Sequence, residues 1–215
     1  EIADRAGFKA LWFPERHFHR FGGLYPRPAI LAAALATRTR NVRLRAGSVI
    51  LPLHEPIEVA EEWAMVDHLS GGRVDLAVAA GWNPNDFVLA EHAFAERTDL
   101  LFRKADELQA LWRGGSVSRR NGQGQATVVT VHPAPRQKEL ALWITCSDDI
   151  ERFRQAGARG ANVLTALLFQ SPTQLARKIA AYREARAAHG HDPAAGEVTV
   201  MVHAFVGEDR SEEHT

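Results

Sequence analysis

The chain has 215 residues, of which 46% are hydrophobic and 24% charged, so it is long enough and apolar enough to bury one sizeable core. Lys and Arg together number 26, as do Asp and Glu, and this zero net charge argues against binding to nucleic acid or to an acidic membrane surface. We expect no membrane span and no leader segment, and a single cysteine, Cys146, excludes an internal disulfide, so the expected location is the cytoplasm.

Short apolar runs alternate with helical stretches along the chain, which predicts a parallel α/β fold. The alternation predicts six core strands, over residues 9–13, 42–51, 74–80, 140–145, 161–168 and 198–206. Proline at the first helical position predicts helices that begin at Pro28 and Pro56, and Gly71 and Gly72 end the second of them. Further helices are predicted over residues 99–112, after an Asp148-x-x-Glu151 cap, and after the capping box that begins at Ser171.

Residues 116–132 interrupt this alternation. They place Arg120-Asn121-Gly122 between polar and β-branched runs, which predicts a hairpin insertion at about 115–136. The remaining elements predict a single domain over residues 1–209. Residues 210–215 read R-S-E-E-H-T, the translation of a common sequencing-library adapter, and we predict that this tail is not native.

Two histidines, His17 and His19, follow the first predicted strand, where parallel α/β folds carry their chemistry. A barrel metallohydrolase would add ligands from later strand ends, and zinc needs three or four. The later strand ends offer mainly neutral side chains, so the sequence predicts no metal site. Gly, Ser, Thr, Asn and Trp are frequent at these ends and are typical of a cofactor pocket.

Six ordered stretches carry a family pattern: A-L-W-F-P-E-R-H-F-H-R-F-G-G, P-R-P-A-I-L-A-A-A-L-A, R-L-R-A-G-S-V-I-L-P, H-E-P-I-E-V-A-E-E-W-A-M-V-D-H-L-S-G-G-R, G-W-N-P-N-D-F and A-L-W-I-T-C-S. Together they resemble the bacterial luciferase-like flavin monooxygenases, over residues 1 to about 208. The residues of these stretches are most similar to those of family members found in natural-product assembly lines.

The resemblance implies a (β/α)8 TIM barrel, of which this chain would be a fragment lacking the first strand and the last βα unit. It implies that reduced FMN, supplied by a separate flavin reductase, reacts with O2 to give a flavin C4a-hydroperoxide. The expected substrate is a small or carrier-protein-bound organic molecule. The full-length protein is expected to be a homodimer through helices 28–37 and 56–69. A non-proline cis peptide is expected at Gly47-Ser48.

The luciferase pattern Glu-His-His-Phe falls on residues 15–18 of this chain. The histidine that the family treats as catalytic falls at Arg16, which cannot act as a general base near neutral pH but can hold an anion or a carboxylate. His17 matches the second histidine, and it or His19 is expected to take over acid–base work, with loop packing as the alternative role of His17. Glu15 is expected to orient these neighbours.

The phosphate-contacting arginine of luciferases falls at Ala80, so phosphate binding is expected from the Ser147 hydroxyl and the N–H groups of the helix that follows it. Trp82 is expected either to border the isoalloxazine or to be a core aromatic. Cys146 is expected to line the pocket, not to act as a nucleophile. The expected cofactor-binding residues are Gly47, Ser48, Gly81, Trp82, Asn83, Thr145, Cys146, Ser147 and Thr165.

The function that the resemblance implies is a reduced-FMN-dependent monooxygenase. Three alternatives stay open. The first is an F420-dependent oxidoreductase of the same superfamily that transfers hydride. The second is a barrel metallohydrolase that uses His17 and His19. The third is a non-catalytic flavin-barrel homologue. The differences from the luciferase pattern at Arg16 and Ala80 are the reason for retaining this alternative.

Overall fold

The structure is a computed structural model that describes residues 1–18, 20, 25–168, 170–204 and 207. The chain divides into two compact units, residues 1–145 and residues 146–215. The first unit contains α1 (Ile2–Arg5), β1 (Ala10–Phe13), α2 (Pro28–Ala36), β2 (Arg43–Ile50), α3 (Pro56–Ser70), β3 (Val74–Ala79), α4 (Arg97–Trp112), β4 (Ser116–Arg120), β5 (Ala126–Thr130) and β6 (Leu142–Thr145). The second unit contains α5 (Ile150–Ala158), β7 (Asn162–Ala166), α6 (Pro172–Ala188) and β8 (Val198–Met201).

Four strands of the first unit form a parallel sheet in the order β1, β2, β3, β6. In the second unit β7 and β8 also pair in parallel. The six predicted core strands are therefore present, and the predicted α/β class with parallel strands is confirmed. The last strand ends at Met201, earlier than predicted, and residues 205 and 206 lie outside the described part of the chain. The closed barrel, the missing first strand and last βα unit, the single domain over 1–209 and the tail 210–215 stay predictions.

Local sequence signals place the helix ends. Proline occupies the first turn of α2, α3 and α6, where its missing N–H costs no helical hydrogen bond. Gly71 ends α3 in the left-handed conformation, with φ of 73°, and Ser171 and Gln174 form the predicted capping box. The predicted cap at Asp148 is wrong by one residue, because Asp149 has the extended backbone next to α5 and accepts the Glu151 N–H.

The predicted hairpin is present, since β4 and β5 pair in antiparallel register. Arg119 on β4 donates to Glu55 before α3, with 2.7 Å between Nη2 and Oε1, and also to Glu107 on α4. The segment that returns from the hairpin is joined to α3 by Gln137, whose backbone and side-chain N–H groups both donate to buried Asp67, each at 2.8 Å. The hairpin is thus attached to the helices at both of its ends.

The two faces of the first unit's sheet differ in chemistry. One face carries fully buried aliphatic side chains such as Leu44, Leu76 and Ile144. The other carries buried Asp75, which accepts hydrogen bonds from the Nε atoms of Arg43 and Arg45 at 2.6 and 2.7 Å. The Arg45 guanidinium in turn lies over the rings of Trp143 and Trp12, at 4.3 and 5.1 Å from their centroids. Charge pairing and cation–π contact together compensate for burying these groups.

No helix within the described residues is long and apolar enough to cross a membrane.

Substitution of Asp75 by Asn is expected to lower the free energy of unfolding by about 3–5 kcal/mol, because it leaves two guanidinium groups without their shared counter-charge. Chemical denaturation at neutral pH measures this. Asp99→Asn, an exposed change in the first turn of α4, is the matched control and is expected to cost less than about 0.5 kcal/mol. Equal effects of the two variants would contradict the account of the Asp75 cluster.

Candidate active site

The carboxylate of Glu15 joins the ends of the first two strands. Its side chain is fully buried, and Oε2 accepts the backbone N–H of Ile50, the last residue of β2, at 2.7 Å. Oε1 lies 2.7 Å from Nε2 of His17 and 2.7 Å from Nε2 of His54. An ionised carboxylate only accepts hydrogen bonds, so both rings present an N–H to the same oxygen.

The electrostatics of this cluster favour an ionised Glu15. Burial raises the pKa of the carboxyl group, but hydrogen bonds from the two histidines and from the Ile50 N–H outweigh it. The pKa of Glu15 therefore lies below its ordinary value of 4.5. A buried, negatively charged acceptor holds the ring of His17 in one orientation.

Of the other two members of the predicted acid–base stretch, the structure describes Arg16. Arg16 is half-buried and its backbone N–H donates to the carbonyl of Tyr25 at 2.9 Å. His19 lies outside the described residues.

Among the residues that the structure describes, no group of three His, Cys, Asp or Glu side chains could hold a metal ion. The metallohydrolase alternative therefore gains no support from His17, whose Nε2 is engaged by Glu15.

The peptide bond between Gly47 and Ser48 is cis, as the family resemblance predicts. A Cβ atom on Gly47 would lie 3.0 Å from the Trp12 ring, so neighbouring protein, and not only a ligand, requires glycine at this position. The Ser48 hydroxyl shares a hydrogen bond with the hydroxyl of Thr145 at the end of β6. Three of the predicted cofactor-binding residues, Gly47, Ser48 and Thr145, thus lie together near the carboxyl ends of the strands.

Gly81, Trp82 and Asn83 follow β3. A Cβ atom on Gly81, where φ is 82°, would lie 2.8 Å from the Ile50 side chain, so only glycine fits closely there. Trp82 is 76% exposed and is not a core aromatic, which leaves the other predicted role, contact with the flavin ring, as a prediction. Asn83 accepts the Asn85 N–H and donates to Asp86, so its side chain holds the short 3-10 turn Pro84–Leu89.

In the second unit, Cys146 is buried and its N–H donates to the Leu164 carbonyl of β7 at 2.8 Å. Burial raises the pKa of the Cys146 thiol, as suits a pocket-lining residue and not a nucleophile. Thr165 is buried, and its hydroxyl accepts from the Gln170 amide at 3.1 Å. A cofactor role for these two residues stays a prediction.

Ser147 and the start of α5 were predicted to bind the cofactor phosphate. The Ser147 hydroxyl donates to Asp148 at 2.9 Å, and Asp149 accepts the Glu151 N–H at the start of the helix. Lys178 supplies a positive charge nearby, with Nζ 3.2 Å from the Ser147 carbonyl oxygen. The carboxylates of Asp148 and Asp149 oppose an anion here, whereas the positive charges of Lys178 and Arg152, which both act on Asp148, favour it. Phosphate binding by Ser147 stays a prediction.

His54, which no sequence pattern had indicated, is also part of this cluster. His54 lies just beyond β2, after the 3-10 turn Leu51–Leu53, and is 39 residues from Glu15. Arg27, immediately before α2, donates to Nδ1 of His54 at 3.2 Å. Lys104 of α4 donates to the His54 carbonyl oxygen at 2.5 Å. A histidine at a strand end was the available signal, the same signal that identified His17.

Substitution of Glu15 by Gln is expected to lower the free energy of unfolding at pH 7 by about 2–3 kcal/mol, because an amide N–H then faces one of the three donors. The folded-state pKa of Glu15 is depressed, so its contribution is present above pH 4.5 and is lost as the pH falls through the folded value. The difference from wild type should therefore shrink in acid, as denaturation curves between pH 7 and pH 3.5 would show. The control is Glu58→Gln on the exposed side of α3. A difference that grows in acid would contradict the assignment.

Comparisons with known proteins identify the family of this chain. The profile of the family described as Luciferase-like monooxygenase matches residues 1–214. The chain is 43% identical to the oxygenase component of the flavin-dependent trigonelline monooxygenase of Acinetobacter baylyi, over 38% of this chain and 22% of that protein. Curated relatives that align over most of the chain are longer, since the chain spans 51% and 53% of two of them.

Solved structures share the fold. Monooxygenase RslO1 from Streptomyces bottropensis is 27% identical, with a TM-score of 0.88 over 99% of this chain and 65% of that one. The oxygenating constituent of 3,6-diketocamphane monooxygenase from Pseudomonas putida, in complex with FMN, is 20% identical, with a TM-score of 0.74 over 89% of this chain and 56% of that one. The second likeness shows the fold alone. On the profile match, the chain belongs to the luciferase-like monooxygenase family, whose named relatives are flavin-dependent oxidoreductases.

Proposed function

We propose that the protein is a reduced-FMN-dependent monooxygenase that forms a flavin C4a-hydroperoxide and oxygenates a small or carrier-bound organic substrate. The observation that carries the proposal is the buried Glu15–His17 pair at the strand ends of the first unit, beside the cis peptide and the Ser48–Thr145 hydroxyl pair. Family membership supports the flavin and the oxidoreductase class.

The residues present fit a flavin. The indole N–H of Trp143 is buried and has no hydrogen-bond partner among the described residues. An unpaired buried donor of this kind costs about 1–3 kcal/mol, so it is available to an acceptor atom of a ligand or to a water molecule. Thr145 lies two residues further along β6, on the same face of the sheet as Trp143. Ser48, Thr145 and Trp143 would hold ring carbonyl and nitrogen atoms.

Bound reduced FMN supplies the electrons with which one oxygen atom of O2 enters the substrate and the other leaves as water. The protein's part is to place the ring, exclude water and move protons. His17 donates its Nε2 hydrogen to Glu15, so Nδ1 is the ring atom with which it exchanges a proton. The half-buried guanidinium of Arg16 holds an anionic or carboxylate group nearby, since it cannot act as a base.

A separate flavin reductase is proposed to supply the reduced cofactor. The trigonelline monooxygenase relative is named as an oxygenase component, which implies a two-component system for that protein. A homodimer is proposed through α2 and α3. Both helices expose large apolar side chains, Ile30 on the first and Met65 and Leu69 on the second.

Anaerobic titration of the full-length protein with reduced FMN tests the proposal. Tight binding, followed on admission of O2 by a long-lived near-ultraviolet absorption band of the oxygenated flavin, is the expected outcome. Tight binding of F420, with no such band, would instead favour the hydride-transfer alternative. Failure to bind either cofactor would contradict the proposal and favour the non-catalytic homologue.

Substitution of His17 by Gln is expected to slow the proton-dependent return of the flavin to its oxidised form by roughly 10²-fold or more, while reduced FMN still binds. Stopped-flow absorbance after mixing with O2 measures this rate. His92→Gln, an exposed change in the first unit, is the matched control and should leave the rate unchanged. An unchanged rate in the His17 variant would show that this histidine only packs the loop.

A further inference from the structure

Two histidine rings share one carboxylate oxygen in the first unit, and their environments are not equivalent. The Nε2 atoms of His17 and His54 are each 2.7 Å from Oε1 of Glu15. On the far side of the His54 ring, Nδ1 lies 3.2 Å from Nη1 of Arg27. The two rings therefore form a hydrogen-bonded line in the order Arg27, His54, Glu15, His17.

The contact with Arg27 fixes the protonation of His54. A guanidinium only donates hydrogen bonds, so Nδ1 of His54 must accept and its single ring hydrogen lies on Nε2. Adding a proton to Nδ1 would remove that acceptor and place two positive charges about 3 Å apart. This arrangement favours the His54 tautomer that carries its hydrogen on Nε2 and donates it to Glu15.

We infer that His54 is a positioning residue that acts through Glu15. Its hydrogen bond weakens the attraction between the Glu15 carboxylate and protonated His17, and His17 is left as the ring that exchanges protons. The inference rests on the proposed acid–base role of His17. Two donors on one oxygen divide its negative charge between them, so each is bound less strongly than a single donor would be. Removal of His54 should therefore strengthen the pairing between Glu15 and protonated His17.

The charged and titratable groups around this line come from several elements. Glu15 follows β1, Arg27 precedes α2, and Glu62 of α3 lies 3.8 Å from the Arg27 guanidinium. Lys104 of α4 donates to the backbone carbonyl oxygens of His54 and Pro52. Arg16 is the chain neighbour of both Glu15 and His17. Glu15, Arg27, His54 and Glu62 line one small pocket, and the Arg27 side chain is partly exposed to solvent.

The test is a nuclear magnetic resonance titration of the histidine ring signals in the full-length protein without flavin, in wild type and in three variants. His54→Leu removes the second donor, so the pH at which His17 is half-protonated should rise by about half to one unit, a three- to tenfold gain in proton affinity. His54→Gln keeps an amide donor and should restore most of the wild-type behaviour. Arg27→Met removes the donor at Nδ1 of His54, so the pH at which His54 is half-protonated should rise relative to wild type.

The matched control is Glu62→Gln, which removes the ion pair with Arg27 but keeps the guanidinium on His54, and should leave both rings as in wild type. Equal titrations of His17 in wild type and His54→Leu would overturn the inference. If that variant fails to fold, an Arg27→Met protein whose His54 signals titrate as in wild type, or a His54→Gln protein that shifts His17, overturns it instead.

The flavin experiment separates this inference from the proposed function. The pH profile of flavin re-oxidation should move in the same direction as the His17 signals in His54→Leu. If the ring signals shift as expected but reduced FMN does not bind, the proposed function fails while the Glu15 network stands. If FMN and O2 react as expected but His17 titrates identically in the variants, the function stands and the role of His54 fails.

Discussion

The first unit depends on a single buried carboxylate. Glu15 accepts three hydrogen bonds from groups that the chain brings from the end of β2, from its own loop and from the segment before α3. Each of these donors would be costly to bury without an acceptor, and the carboxylate would be costly to bury without donors. The hydrogen bonds of Glu15 therefore fix the end of β1 relative to the end of β2, and they also fix the loop that carries His17.

A second charged cluster lies on the same sheet. Asp75 holds Arg43 and Arg45, and the two tryptophans Trp12 and Trp143 cover the Arg45 guanidinium. Trp12 also requires glycine at position 47, where the cis peptide begins. The packing of one aromatic ring thus connects the charged cluster with the strand end where Ser48 meets Thr145. Stability and the candidate site share the same residues in this unit.

The family pattern is altered where its chemistry is usually placed. The family resemblance implies that Arg16 takes the position of the luciferase catalytic histidine, and the neighbouring His17 is the ring that Glu15 holds. The geometry is nonetheless that of a carboxylate–imidazole pair, in which Nε2 of His17 is engaged by Glu15. A shift of the acid–base group by one residue is compatible with this fold, because the loop after β1 is anchored through side chains of Glu15 and not through residue 16 alone.

The sequence alone determined the strands, the helix starts at Pro28, Pro56 and Pro172, the capping box at Ser171 and the hairpin, because each depends on residues within a few positions of one another. Family pattern added the cis bond at Gly47-Ser48. Only the tertiary structure decided that Trp82 is exposed and that His54 joins Glu15 from 39 positions away. Burial and long-range hydrogen bonds depend on how helices and strands that are distant in sequence pack against one another. A short sequence pattern does not determine that packing.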